Sequence, residues 1–123
     1  MKKVFVASSR KFYSEVKKLK KKLDAKEIIG FYPYFEFSDE EVERDDKLKQ
    51  KLTLKHFPEI DQVDVLYIFA KNGYAGISVA IETAYAYARG KEIISSKPLA
   101  EIALRALVLK TMNPNEFIRY LLK

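Results

Sequence analysis

The sequence predicts an α/β fold of one domain: a parallel sheet of four or five strands with helices layered against it. Three observations carry this. Short apolar runs alternate along the chain with longer amphipathic or polar stretches, the order of successive strand and helix units. The most apolar run, Val65-Leu66-Tyr67-Ile68-Phe69-Ala70, lacks an inside-outside alternation, as expected of a central strand covered on both faces. A chain of 123 residues holds one packed core and is too short for two ordinary domains, so residues 1–123 read as a single unit.

Taken in order, Val4-Phe5-Val6-Ala7 is a buried-strand pattern that Ser8-Ser9 breaks. From Phe12, apolar residues recur at Val16, Leu19 and Leu23, the spacing of an amphipathic helix with its lysines outward. Ile28 to Tyr32 is the next strand, ended by Pro33, which cannot donate to a ladder. Ser38 followed by Asp39-Glu40-Glu41 is a helix start, a capping hydroxyl before acids that suit the positive end of the helix dipole. This polar helix is expected to run to about His56, with Pro58 as its breaker and Ile60 to Val63 as a further turn. After the central strand come a glycine-containing loop, a small-residue helix starting near Val79, a fourth strand at Glu92-Ile93-Ile94 and a short helix from Pro98 to about Arg105. Ala106 to Leu109 is a candidate fifth strand, and Asn113-Pro114-Asn115-Glu116 opens a last helix with cap, proline and returning glutamate in place.

Composition narrows the chemistry. Hydrophobic residues make up 48% and charged residues 33%, the balance of a folded globular chain. There is no cysteine, which excludes disulfides, thiol catalysis and cysteine zinc sites, and the single histidine, His56, leaves no His-rich metal site; no metal or cofactor is implied. His56 reads as a structural residue near a helix C-terminus. The apolar run of MKKVFVASSR is too short for a signal-peptide core or a membrane span, so the expected location is the cytoplasm, without a membrane partner. The net charge of +6 is concentrated in Lys17, Lys18, Lys20, Lys21 and Lys22 and answered by the acids between Glu36 and Asp46, the pattern of solvated helix faces.

In parallel α/β sheets ligands bind beyond the C-terminal strand ends, which directs attention to the loops Ala7-Ser8-Ser9-Arg10 and Ala70-Lys71-Asn72-Gly73-Tyr74-Ala75-Gly76-Ile77-Ser78. Gly73 and Gly76 permit backbone conformations closed to other residues, and Ser78 is suited to cap the following helix. Free amides at such a helix start form a site for an anion such as phosphate; a tight turn into a capped helix is the plainer alternative. Tyr74, inside the loop, could stack on a base, whereas the other tyrosines read as core or subunit interface. Glu82 stands alone among alanines, Ile81 and tyrosines, four residues after Ser78 and so outside a capping box. Ala80, Ala84 and Ala88 form a smooth stripe expected to face the sheet, with Glu82 on the face of Val79, Ala86 and Arg89. A carboxylate at the rim of a cleft can attack or stabilise an electrophilic sugar carbon; an exposed glutamate, or one paired with Arg89, is the other reading.

Asp64-Val65-Leu66-Tyr67, Asn72-Gly73-Tyr74-Ala75-Gly76-Ile77-Ser78, Glu82-Thr83-Ala84-Tyr85-Ala86 and Gly90-Lys91 together resemble the nucleoside 2-deoxyribosyltransferase-like superfamily. Ser8 and Arg10 match a Ser-x-Arg element of its deoxynucleoside monophosphate N-glycosidases. The resemblance implies a flavodoxin-like (Rossmann-like) three-layer sandwich, Glu82 as a nucleophile at the sugar C1′, and a nucleoside or nucleotide held by Ser8, Ser9, Arg10, Asn72, Gly73, Tyr74, Gly76 and Ser78. It also implies a homodimer or higher homo-oligomer. Two acids that transferases of the family carry fall here at Gly76 and in the Lys71-Asn72 region, and a first-strand tyrosine falls at Phe5. That pattern lies nearer a nucleotide hydrolase, or a nucleotide-binding module without turnover, than a base-exchange enzyme. A basic nucleic-acid-associated protein using Lys17 to Lys22 is a further alternative, but no nucleic-acid motif accompanies the charge, so nucleic acid is not the expected partner. Receiver domains share the predicted architecture; the acids they need are replaced here by Ala7-Ser8-Ser9 and Ala70-Lys71.

Overall fold

Val4–Ser8 (β1), Gly30–Phe31 (β2), Val65–Phe69 (β3), Glu92–Ser95 (β4) and Lys110–Thr111 (β5) pair side by side, every pair parallel, in the spatial order β2-β1-β3-β4-β5. This computed structural model describes residues 1–123. The helices are Tyr13–Ala25 (α1), Asp39–Arg44 (α2), Asp46–Asp61 (α3), Gly76–Ala88 (α4), Ile102–Arg105 (α5) and Pro114–Leu122 (α6). The order is that of a flavodoxin-like sheet, whose winding reverses between β1 and β3.

Strand parity divides the core into two layers. Val4 and Val6 of β1, with Val65, Tyr67 and Ile94, pack against Val16, Leu19 and Leu23 of α1 and Phe117, Ile118 and Leu121 of α6. Phe5 and Ala7, with Leu66, Ile68 and Ile93, pack against Ile60 of α3, Val79 and Ala86 of α4 and Leu104 of α5. Both faces are thus covered, which is why the central strand carries apolar residues at every position. Tyr67 satisfies its buried hydroxyl by donating to the Met112 carbonyl at 2.8 Å, while its ring stacks on Phe117 with centroids 3.9 Å apart.

Several boundaries differ from the sequence expectation. The polar segment is two helices: Asp45 breaks it and caps α3, its side chain accepting from Leu48 N at 3.0 Å, and Ser38 with Glu41 completes a capping box on α2. Pro58 does not end α3, which continues to Asp61 and buries Ile60 fully; the expected separate turn at Ile60 is its last turn. Strand β5 lies at Lys110–Thr111, because Ala106, Leu107 and Val108 donate back to the carbonyls of Ala103, Leu104 and Arg105 in a turn. Helix α5 begins at Ile102 and not at Pro98, with the Glu101 side chain accepting from Ala103 N. Helix α6 has the expected Asn113 cap, Pro114 and Glu116 capping box. No helix is long and apolar enough to cross a membrane.

Candidate active site

At the C-terminal ends of β1 and β3, where the winding reverses, lies a cavity of about 360 Å³. Its floor comes from β1 and the first turns of α4, one wall from Pro33 and Tyr34 after β2, and the opposite side from α2 and α3. Small-molecule sites of doubly wound sheets have this location and size.

Glu82 lines the cavity from α4 and is buried, with 7% exposure. The buried face of α4 is Val79, Glu82, Thr83 and Ala86, so the alanine stripe was assigned to the wrong side: Ala84 and Ala88 are exposed. Arg89 does not reach Glu82 but pairs with Asp61 at 3.1 Å. The partner of Glu82 is His56, whose Nδ1 lies 2.5 Å from Oε2. Oε1 makes no protein hydrogen bond and is not among the sealed, unpartnered atoms, which leaves it as the oxygen available to the cavity. His56 is held in turn by its neighbours, stacked on Tyr34 (centroids 4.4 Å) and met edge-on by Phe5 (5.0 Å). Tyr34 is itself fixed by donating to Glu59 Oε2 at 2.9 Å. Burial, reinforced by that bond and by the Glu59 and Glu82 charges, pushes the Tyr34 hydroxyl well above its usual range, so it stays a neutral donor.

The loop after β3 divides into two parts. Lys71 and Tyr74 close a narrow bridge around Asn72 and Gly73, both at positive φ (55° and 78°), and the Gly73 carbonyl accepts from Ala100 N at 3.0 Å. Asn72 and Gly73 therefore dock the loop on the β4–α5 connection and do not line the cavity. Tyr74, Ala75, Gly76, Ile77 and Ser78 do. Helix α4 starts at Gly76, whose φ is +76°, and no side chain caps it; Ser78 is its exposed third residue and not its cap. The first-turn amides of α4 are thus left for water or a ligand at the positive end of the dipole.

Ser8, Ser9 and Arg10 reach the same cavity from β1. Ser9 Oγ accepts from Lys11 N at 3.3 Å to cap the short turn Arg10–Phe12, and Ser8 Oγ donates to the Ser9 carbonyl at 3.1 Å. Arg10 Nη1 donates to the Phe37 carbonyl at 2.9 Å and to Asp39 Oδ1 at 3.2 Å, tying the start of α2 over the cavity. Of the nine residues expected at the site, seven converge: Glu82, Ser8, Ser9, Arg10, Tyr74, Gly76 and Ser78. No group of three or more His, Asp or Glu side chains is arranged to hold a metal ion.

No protein-family model matches the chain, and no curated protein does. Solved structures share its fold. A 2-deoxyribosyltransferase from Bacillus psychrosaccharolyticus superposes with a TM-score of 0.71 at 16% identity, over 96% of this chain and 91% of that one. A conserved protein from Enterococcus faecalis V583 gives 0.66 at 15% identity, over 97% and 96%. The CMP N-glycosidase of Clostridium botulinum gives 0.55 at 18% identity, over 98% of both chains. These likenesses establish the fold, in agreement with the flavodoxin-like sandwich expected from the sequence.

His56 is the site residue that sequence reasoning missed. It lies inside α3, more than a turn before the end, and not at the helix C-terminus to which it was assigned. A signal was present: Lys49, Leu52, Thr53, His56 and Ile60 follow three-to-four spacing, so the histidine shares the face of the buried Ile60. Leu52 and Thr53 line the cavity beside it.

Proposed function

We propose that this protein acts on the N-glycosidic bond of a nucleoside or nucleotide, with Glu82 as the nucleophile. One observation carries the reading: a buried carboxylate on the cavity wall has one oxygen bonded and the other free, on the same helix as the uncapped start of α4 at Gly76 and about one turn beyond Ser78. A phosphate placed at Gly76, Ile77 and Ser78 sets the attached sugar about one turn deeper, over Glu82, since residues four apart on a helix lie about 6 Å from each other. Oε1 attacks C1′ as the C1′–N bond breaks; the electron pair leaves with the base, which takes up a proton from solvent. Water then attacks C1′, the C1′–Oε1 bond breaks, the carboxylate is regenerated and one proton returns to solvent. Fold likeness to a deoxyribosyltransferase and to a CMP N-glycosidase supports this reaction class.

The test is release of free base from a panel of nucleosides and their monophosphates by the purified chain and by Glu82→Gln. Release by the wild type and its loss in Glu82→Gln are expected; equal silence of both removes catalysis. A second reading, nucleotide binding without turnover, is favoured by the loop after β3: Lys71 and Asn72 are exposed and outside the cavity, so no acid from that loop joins Glu82. Calorimetric binding by a wild type that releases no base supports it, and no heat with any nucleotide removes it. A homo-oligomer is proposed as well, supported by the unpartnered apolar outer face of α4, where Ile77, Ile81 and Tyr87 are exposed. Sedimentation as a strict monomer counts against it.

A further inference from the structure

We infer that His56 is a positioning residue for the proposed reaction: through Nδ1 it holds Oε2 of Glu82 and so presents Oε1 to the sugar. The inference rests on the Glu82 reading and adds a second side chain to it. The geometry is specific. The proposed nucleophile is the carboxylate, which only accepts, so in that role the hydrogen in the 2.5 Å contact is assigned to Nδ1. Nε2 is buried and has no protein partner, so no bond on the far side of the ring competes to fix the tautomer; Glu82 alone sets it. The imidazole plane is fixed independently, clamped between the face of Tyr34 and the edge of Phe5. Phe5 has no hydroxyl, and no other protein donor reaches the carboxylate.

The role differs between the two half-reactions. During attack, Oε1 forms the bond to C1′ while Oε2 becomes the carbonyl oxygen of the ester, still bonded to Nδ1–H. During hydrolysis the C1′–Oε1 bond breaks and its electron pair returns to the carboxylate. A hydrogen bond to an ionised carboxylate is stronger than one to a neutral ester carbonyl, so His56 favours this second departure. Losing His56 therefore slows release of the sugar from Glu82 more than it weakens substrate binding.

The experiment measures steady-state kinetics for the wild type, His56→Phe and His56→Asn on whichever substrate the wild type cleaves, with intact-mass analysis of the protein during turnover. Phenylalanine preserves the stacking and removes the donor; asparagine restores an amide N–H near the place of Nδ1. The expected result is a kcat lower by about 10- to 100-fold in His56→Phe, the kinetic equivalent of one charge-assisted hydrogen bond, with KM changed by less than about threefold. His56→Asn recovers part of the loss, and the mass of the glycosylated chain accumulates in His56→Phe. A readout free of activity accompanies it: as the only histidine in the chain, His56 gives one nitrogen-15 imidazole pattern, expected to report hydrogen on Nδ1 and to change in Glu82→Ala. An active wild type beside an unimpaired His56→Phe, an asparagine no better than phenylalanine, or an imidazole pattern indifferent to Glu82→Ala overturns the role of His56 alone. A silent wild type overturns the reaction, and this role with it.

Discussion

Gly73 was expected to touch the ligand, and the structure gives it a mechanical task whose size can be worked out. An added Cβ at Gly73 lies 3.0 Å from both Ala100 N and Pro98 O, backbone atoms with no flexible end to yield. The residue also sits at φ +78°. A non-glycine residue in that region costs about 1–2 kcal/mol. Opening the contact stretches the Ala100 N–Gly73 O hydrogen bond and adds about 1–3 kcal/mol of overpacking and lost bonding. Gly73→Ala is therefore expected to destabilise by about 2–5 kcal/mol. Gly90 supplies the control, because it has nearly the same φ, +76°, and nothing within 4 Å of an added Cβ. Gly90→Ala is expected to cost only the conformational part, about 1–2 kcal/mol. Urea unfolding of the three proteins, with equal slopes, should place the Gly73→Ala midpoint below that of Gly90→Ala. Equal midpoints would refute the packing argument, and a weakened ligand affinity with unchanged stability would return Gly73 to the binding site.

Three further outcomes are expected. Ser78→Asp sets a negative charge in the first turn of α4, where it suits the dipole and leaves stability intact, yet it should weaken binding of nucleoside monophosphates by about tenfold or more while sparing uncharged nucleosides; calorimetry on both ligand types checks this. Burial pushes the Glu92 carboxyl up, but hydrogen bonds from Tyr120 (2.5 Å) and Lys2 (2.9 Å), with the charges of Lys2 and Lys110, outweigh it and hold the group below its ordinary value. A lowered carboxylate stabilises the fold above its unfolded pKa and loses that contribution as pH falls through the folded one, so the drop in melting temperature between about pH 5 and pH 3 should be smaller in Glu92→Gln than in the wild type. Phe117→Ala removes a fully buried ring stacked on Tyr67 and should cost about 3–5 kcal/mol in chemical denaturation.

Legibility in the sequence followed how local each cause is. Strands β1 and β3, helix α1, the Ser38 cap and the Asn113–Glu116 capping box were readable, because apolar spacing and cap chemistry lie within a few residues of the element they define. Strand β2 was misjudged in extent and β5 was misplaced, expected at Ala106 to Leu109 and found at Lys110–Thr111, because each is two residues long and is held by pairing with β1 or β4, information that is not local. The orientation of α4 was unreadable for another reason: apolar residues surround it, with Ile77 and Ile81 on one side and Val79 and Ala86 on the other, so periodicity did not distinguish core from surface. Glu82 stood out because it is the lone acid on that helix, whereas its partner did not. The pairing joins residues 26 apart on different helices, and Pro58 concealed that α3 continues past His56 and buries that face.

The choice of partner for Glu82 is itself an argument about chemistry. A buried carboxylate needs compensation, and a guanidinium would give the most, through two parallel N–H bonds that occupy both oxygens. Such a pair would be a structural tie with no free oxygen. The guanidinium of this cavity, that of Arg10, is directed instead to the Phe37 carbonyl and Asp39. An imidazole offers one N–H in the direction of the carboxylate, so it compensates one oxygen and leaves the other unbonded. Apolar residues at both position 82 and position 56 would pack beside Val79 and Ala86 with no buried polar group to compensate, so the fold gains nothing from the Glu82–His56 pair that two apolar side chains would not supply. A half-satisfied buried carboxylate beside a cavity is what the proposed attack at a sugar carbon requires, and the arrangement supports that proposal more than it supports a purely structural tie.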